Sequence, residues 1–209
     1  LEQRKYIMCD AGSGKYRLGL RTYIIGASCT SQSGFEPLIN IMNSVTESTQ
    51  ETSQFGILEG GNVLYVAKKD SPQAIRMISW VGTKLPANAT AIGKALLSDL
   101  TDEQIRDLYR DGLPKLTEHT ISDIDLLLGQ IEQIRCGEIA TETEESTPQM
   151  RCFAVPIRQN GRVDAALSIS VPIFRYTDEK RVQICQCLRE AQQQIEQLVG
   201  LYNFELIKP

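Results

Sequence analysis

The chain has 209 residues, of which 42% are hydrophobic and 23% charged, a composition typical of one globular domain with some attached structure. Its longest apolar runs are too short to cross a bilayer and its first residues lack the apolar core of a secretion signal, so we expect a cytoplasmic protein with no membrane partner. The six cysteines show no CxxC spacing, which argues against disulfides and against a metal site.

Charge is distributed unevenly along the chain. The first 21 residues carry five basic and two acidic side chains, whereas the whole chain has a formal net charge of −4. Only the N-terminal end would therefore attract a phosphate backbone. Two strand-like runs in this region, Lys5–Met8 and Lys15–Leu18, flank a turn-rich segment and predict a hairpin. Because a two-stranded ribbon is not stable alone, we expect it to be the end of a domain whose earlier helices precede residue 1.

The segment after the hairpin predicts two helices and then a set of strands. A short helix is expected first, followed by the polar stretch Thr30–Gly34, which we take as the domain boundary. A second helix is predicted from about Phe35. Strands at about Gln54–Leu58, Val63–Lys69 and Gln73–Trp80 then predict an antiparallel meander, because β-branched and aromatic residues alternate there between turn formers.

The run Lys84–Leu97 opens a helix whose first turn carries small side chains and then a lysine. The first amides of a helix lack partners and its N-terminal end is electropositive, so a carboxylate can bind there when small residues let it approach. The residues alone leave a second interpretation open, in which this is an ordinary buried helix start with Ala91, Ile92 and Ala95 in the core.

The second half of the chain predicts three more helices and a hairpin. Thr101 and Ser122 are each followed three residues later by a polar or acidic residue, which indicates two capped helix starts. Strands are predicted at Arg151–Arg158 and Val163–Val171, joined by the turn formers Asn160 and Gly161. A long amphipathic helix follows from near Thr177. This element order predicts an α+β fold with an antiparallel sheet flanked by helices.

Few residues could support catalysis. His119 is the only histidine, so any serine or cysteine nucleophile would depend on it. The acidic run Glu142–Glu145 could mimic paired carboxylates, but adjacent residues on an irregular strand point apart, which favours a solvated acidic edge. Nucleotide-binding loops and zinc-ligand spacings do not occur in the sequence. We therefore expect no catalytic residues, no metal site and no cofactor.

Five motifs occur in an order that resembles the isocitrate lyase regulator (IclR) family of bacterial transcription factors, over nearly the whole chain. They are Gly14–Gly19, Leu85–Ala95, Leu116–Ile121, Arg151–Pro156 and Ala165–Ser170. The resemblance implies a DNA-binding transcriptional regulator. Residues 1–18 would be the end of the wing of a winged helix-turn-helix domain, residues 19–33 a linker helix, and residues 34–205 a GAF-like or profilin-like domain for effector binding and oligomerisation.

The resemblance also implies a site and partners. A small carboxylate effector would be held by the backbone N–H groups of Ala91 and Ile92 and by the hydroxyls of Ser168 and Ser170. The remaining implied positions are the acid Glu142, the thiol Cys152, the apolar wall residues Ala74 and Met77, and the wing residues Lys5, Lys15 and Arg17, which would contact DNA phosphates.

Self-association into a homodimer or homotetramer, and operator DNA bound through the N-terminal domain, are further implications of the resemblance. Two other classes of function stay open at this stage. An enzyme that converts a small acid would depend on His119 or Glu142, and an assembly module would bind no small ligand.

Overall fold

The computed structural model describes residues 1–10, 12–32, 35–77 and 79–202. The chain divides into two compact units, residues 1–38 and residues 39–209. In the first unit, β1 (Ile7–Cys9) pairs antiparallel with β2 (Tyr16–Leu18), as the predicted hairpin requires, and α1 (Leu20–Gln32) follows. The predicted polar boundary includes residues 33 and 34, which lie outside the described residues, as does residue 205 at the predicted end of the second domain.

The second unit contains one antiparallel sheet with the strand order β5-β4-β3-β8-β7-β6. Its strands, within the described ranges, are β3 (Thr52–Glu59), β4 (Asn62–Lys69), β5 (Lys84–Pro86), β6 (Ala140–Thr143), β7 (Met150–Gln159) and β8 (Arg162–Pro172). The helices are α2 (Phe35–Thr49), α3 (Ala91–Leu97), α4 (Asp102–Leu108), α5 (Ile124–Arg135) and α6 (Asp178–Tyr202), with 3₁₀ turns at Ala87–Ala89 and Ile173–Arg175. This arrangement confirms the predicted α+β class.

The strand predicted at Gln73–Trp80 is wrong. The described residues of this segment form bends and irregular backbone, and Ile78 lies outside the described residues. The physical reason is that an alternating pattern makes a strand only where backbone groups find a partner strand. β5 pairs with the beginning of β4, with Val63 opposite Leu85, and further along β4 the Lys68 ammonium binds the carbonyls of Met77 and Ser79. The segment therefore crosses as a loop. Neither β5 nor β6 was predicted.

One of the two predicted capping signals is confirmed and the other is shifted by one residue. Thr101 and Gln104 form a complete capping box at the start of α4. At α5 the cap is Asp123 rather than Ser122, because the Asp123 carboxylate accepts hydrogen bonds from the amides of Asp125 and Leu126. Aspartate is as good an N-cap as serine, and the residue closest to the first free amides takes the role.

The sheet is buried on both faces. Large side chains fill the face on which α6 packs, namely Phe55, Phe153, Val155, Leu167 and Ile169, together with Ile184, Leu188, Ala191 and Ile195 of α6. The opposite face carries small residues such as Ala154 and Ala166, and α3 packs there against β3, β7 and β8. Small side chains allow this short helix to approach the sheet closely, which brings its first turn onto the strand surface.

The close fit of α3 depends on Gly93. A Cβ at Gly93 would lie 2.2 Å from the carbonyl oxygen of Ala87, in the 3₁₀ turn that precedes the helix. In contrast, a Cβ at Gly129 in α5 would meet no atom within 4 Å. Among the described residues, no helix is both long enough and apolar enough to span a membrane.

We expect Gly93→Ala to lower the free energy of unfolding by about 1–3 kcal/mol or more, because backbone must move to admit the methyl group. Gly129→Ala should raise it by about 0.5–1 kcal/mol, because alanine is a better helix former than glycine. Urea denaturation of both variants and the parent checks the pair. Equal stability of Gly93→Ala and the parent would contradict the packing described for α3.

Candidate functional site

The start of α3 is fixed by a local cap. Thr90 has an extended backbone, and its Oγ1 accepts a hydrogen bond of 3.0 Å from the amide of Gly93. This cap satisfies one of the amides that the helix itself leaves unpaired. The amides of Ala91 and Ile92 belong to the same first turn, and both residues line a small cavity against the sheet.

Three adjacent strands place one polar side chain each in a single row under that turn. Glu142 of β6 is opposite Cys152 of β7, and Cys152 is opposite Ser170 of β8. Ser168 lies two residues from Ser170 and therefore on the same face. The Cys152 thiol donates to Ser170 Oγ at 3.3 Å. The row forms because residues directly opposite each other on neighbouring strands point to the same face of the sheet.

We call the space between this row and α3 the central cavity, whose volume of about 10 Å³ is close to the minimum that holds one water molecule. The structure brings seven of the eight predicted effector positions to its lining: Met77, Ala91, Ile92, Glu142, Cys152, Ser168 and Ser170. The exception is Ala74, which is exposed and does not line the cavity. The family resemblance implied Ala74 as a wall residue, but Ala74 lies on the loop found at residues 73–77 and its side chain is exposed.

Four further residues line the central cavity and were not singled out from the sequence: Gln54, Tyr65, Thr90 and Ser146. Gln54 could have been found through strand alternation, since it pairs with Ser168 in register. Its side-chain carbonyl accepts from Ser170 Oγ at 3.1 Å, and its amide nitrogen donates to Ser79 Oγ at 2.7 Å. Gln54 thus connects the polar row to the loop that carries Met77.

Glu142 is buried, with 2% of its surface exposed. One carboxylate oxygen accepts from the amide of Glu145 at 2.8 Å and the other from Ser146 Oγ at 3.1 Å. Burial raises the pKa of Glu142 above its ordinary value, and hydrogen bonds from Cys152 and the Glu145 amide oppose the shift. The predicted solvated acidic edge is therefore wrong for Glu142 and for the equally buried Glu145.

Behind Glu142 lies a buried ion pair. Lys94 of α3 is fully buried, and its Nζ contacts Glu145 Oε1 at 2.6 Å, Gln130 Oε1 at 2.8 Å and the Thr141 carbonyl at 3.3 Å. Glu145 Oε2 has no hydrogen-bond partner. The pair joins α3, α5 and the segment after β6, so it fixes the loop whose amide and hydroxyl groups hold Glu142.

The Cys152 thiol is poorly suited to redox chemistry. Burial raises its pKa well above the ordinary value, and the negative charge of Glu142 adds to the shift. The reactive form of cysteine is the thiolate, so a thiol in this environment stays protonated and inert. Its role in the cavity is that of a small group that packs and donates one weak hydrogen bond.

Of the two residues considered for an enzyme, Glu142 lines the central cavity and His119 does not. His119 is exposed, and its Nε2 lies 3.7 Å from Glu118 and 3.9 Å from Glu144, outside the cavity lining. Across the described parts of the chain, no group of three or more histidine, cysteine or acidic residues could hold a metal ion. The hydrogen-bond groups of the cavity can orient a polar ligand.

Comparison with known proteins decides the family. Residues 35–197 match the family model described as "Bacterial transcriptional regulator IclR C-terminal". The chain belongs to the IclR family. It is 30% identical over 203 residues to the HTH-type transcriptional regulator KdgR of Escherichia coli (strain K12), covering 95% of this chain and 77% of that protein. Against KdgR of Dickeya chrysanthemi it is 30% identical over 202 residues, covering 95% and 66%.

A solved transcriptional regulator from Rhodococcus sp. RHA1 shares the fold of this IclR-family chain, with a TM-score of 0.81 and 29% identity over 93% of this chain and 79% of that one. The two KdgR proteins are named as transcriptional regulators, not as enzymes. This IclR-family chain spans 66% to 77% of their length.

We expect Lys94→Met to lower the free energy of unfolding by about 3–5 kcal/mol, because it leaves the Glu145 carboxylate buried without its cation. Adding Glu145→Leu to the same chain should recover most of that loss, since an apolar pair of similar volume needs no compensating charge. Thermal and urea unfolding of the single and double variants measure both effects. A double variant no more stable than Lys94→Met would show that the pair does not act as a unit.

Proposed function

We propose that this IclR-family chain binds a small carboxylate metabolite in the central cavity and couples that binding to operator DNA through a quaternary change. The observation that carries the proposal is the row Glu142–Cys152–Ser170 under the first turn of α3. It places hydrogen-bonding side chains and an electropositive helix start around one buried space. The relatives' description as transcriptional regulators supports a sensory role for that space.

In the proposed complex, the ligand carboxylate accepts hydrogen bonds from the Ala91 and Ile92 amides. The hydroxyls of Ser168 and Ser170, which donate to Gln54 in the structure, turn to donate to the ligand instead. Met77 covers the apolar part of the ligand. The cavity volume of about 10 Å³ leaves room for about one water molecule. An acid can therefore enter only when the loop that carries Met77 moves away from the sheet.

Coupling requires only that the ligand bind more tightly to one quaternary state than to another. A coupling free energy of about 1–3 kcal/mol changes operator affinity roughly 5- to 150-fold. One charge-assisted hydrogen bond present in a single state is worth about that much. We propose residues 1–18 as the end of a DNA-binding wing, residues 19–33 as a linker helix and residues 34–205 as the effector-binding and oligomerisation domain.

The rival functions make different demands on the same chain. An enzyme would need His119 or Glu142 to act on bound substrate, yet His119 is exposed outside the cavity lining. An assembly module would need no ligand. A turnover assay and a sizing column with and without acid distinguish these alternatives from the effector-binding function.

We expect Ser168→Ala to weaken binding of the carboxylate roughly 10- to 100-fold, because a hydrogen bond to a charged group is lost. The measurement is calorimetric titration with pyruvate, gluconate and 4-hydroxybenzoate, which represent keto, sugar and aromatic acids. Ser53→Ala is the matched control: Ser53 is equally buried, but it bonds to Thr46 and the Met42 carbonyl and does not line the cavity. It should bind like the parent.

Equal affinities of Ser168→Ala and the parent for a bound acid would show that the pocket is misplaced. If none of the three acids bound to the folded parent, the assembly module would be favoured for this chain. Sedimentation velocity with and without a bound acid then tests the proposed quaternary change.

For the wing, we expect Lys15→Gln and Arg17→Gln in the full-length protein to weaken DNA binding to a similar degree on all sequences. Both side chains are exposed, and two positions apart they share one face of the ribbon. Removing two phosphate contacts should reduce the slope of log affinity against log salt by up to about 2. Filter binding across a salt series measures it; an unchanged slope would exclude the phosphate contacts.

A further inference from the structure

The central cavity contains a buried acid and no cationic side chain. The described residues that line it include one carboxylic acid, Glu142, and no lysine, arginine or histidine. The ammonium groups of Lys94 on α3 and Lys68 on β4, two elements that contribute to the lining, have other partners. Lys94 is held by Glu145, Gln130 and the Thr141 carbonyl, and Lys68 pairs with Asp70 at 2.7 Å and donates to the Ser79 carbonyl at 2.8 Å. A ligand carboxylate would therefore meet a like charge without a compensating cation.

The groups that face Glu142 cannot neutralise it. Cys152 faces it from β7 and Tyr65 from β4, and burial raises the pKa of both, so both stay neutral near pH 7. Gln54 on β3 and the serines on β8 are uncharged. Glu145, on the segment after β6, is itself acidic and is satisfied by Lys94 from α3. Two carboxylates in a space of this size cannot both ionise without cost, as in acid pairs that share one proton.

We propose that the central cavity binds a small carboxylate together with one proton, which Glu142 holds in the complex. This inference rests on the proposed function and specifies the ionic state in which the site works. The proton comes from solvent, adds to one Glu142 oxygen and forms a hydrogen bond to a ligand carboxylate oxygen. It returns to solvent when the ligand leaves, so no bond of the ligand changes.

The geometry is suited to such a neutral acid. The Glu142 carboxylate accepts from the Glu145 amide, from the Cys152 thiol and from Ser146 Oγ, which itself lines the cavity and can rotate. One oxygen can therefore become a donor to the ligand while the other keeps its backbone hydrogen bond. Burial already raises the pKa of Glu142, which favours the protonated form, and a bound anion raises it further.

The test is the pH dependence of binding, with the tightest-binding acid of pyruvate, gluconate and 4-hydroxybenzoate as the probe. Between the pKa of Glu142 in the free protein and that in the complex, the dissociation constant should rise up to tenfold per pH unit. The titration covers pH 5–9. Calorimetry in phosphate and in Tris at the steepest pH should report uptake of close to one proton per ligand bound.

Three controls isolate Glu142. Glu142→Gln should bind the same acid with an affinity that does not vary with pH and without proton uptake. Glu144→Gln makes the same chemical change two residues away, at a side chain that bonds Gln149 and does not line the cavity, and should keep the parental slope. His119→Gln removes the only histidine of the sequence, and this variant should also keep the parental slope of affinity against pH. The uncharged amide of the probe acid should bind the parent without proton uptake.

A parent that binds the acid with constant affinity across pH 5–9 and with equal heats in both buffers overturns the proton inference while leaving the effector function intact. The inference is also overturned if Glu142→Gln retains the parental slope. Failure of all three acids to bind at any pH would instead contradict the proposed function itself. Because the proton count is measured on the parent, the test does not depend on any variant folding.

Discussion

The register of β6, β7 and β8 is the constraint on which the site depends. Side chains alternate between the two faces of a strand, so a slip of one residue would move every cavity group to the opposite face. Glu142, Cys152 and Ser170 come together only because these three strands pair in one register. The register is itself fixed by burial, since Phe153 and Ile169 on the other face are fully enclosed in the core. Packing on one face thus fixes the chemistry on the other.

A second constraint joins the helix to the sheet. The Lys94 ammonium contacts Gln130 of α5, the Thr141 carbonyl of β6 and Glu145 in the segment after β6. One buried cation on α3 thus holds the helix, α5 and the end of β6 together. Buried ion pairs contribute less to stability than their geometry suggests, because both charges lose their hydration. Here the ion pair fixes the position of a loop. Glu145 reaches Lys94 in one arrangement of the loop, and in that arrangement the Glu145 amide and Ser146 hydroxyl bond Glu142.

Much of the fold follows from local sequence. The turn at Asn160 and Gly161 has positive φ at both residues, the conformation that the pair predicts, and the flanking strands are where alternation placed them. The strand at Gln73–Trp80 failed because alternation shows which side chains a strand would bury and not whether its backbone finds a partner strand; here Lys68 binds the carbonyls of Met77 and Ser79. β6 was missed because Ala140 and Glu142 have low strand propensity, and it forms through pairing with β7.

The site was less accessible to local reasoning. The sequence pattern alone predicted a solvated edge at Glu142 and Glu145, because Lys94, the cation that pairs with Glu145, is distant in sequence. Seven of the eight positions implied by the family resemblance lie on one cavity, while their part in binding stays a prediction. Gln54 could have been found from strand alternation, whereas nothing short-range marks Tyr65, which reaches the cavity through the pairing of β4 with β3.

β6 is the outermost strand of the sheet and pairs on one side only, with β7. The serines and Cys152 sit on strands paired on both sides, so they cannot move without disturbing the core. The hairpin that leaves β6 turns through positive φ at Glu144 and Gln149, at the periphery of the sheet. Insertions or deletions in that hairpin can reposition the acid while the hydroxyl groups stay in place. Changes in this one peripheral turn can therefore alter which ligand is preferred among proteins with this fold, while the core stays the same.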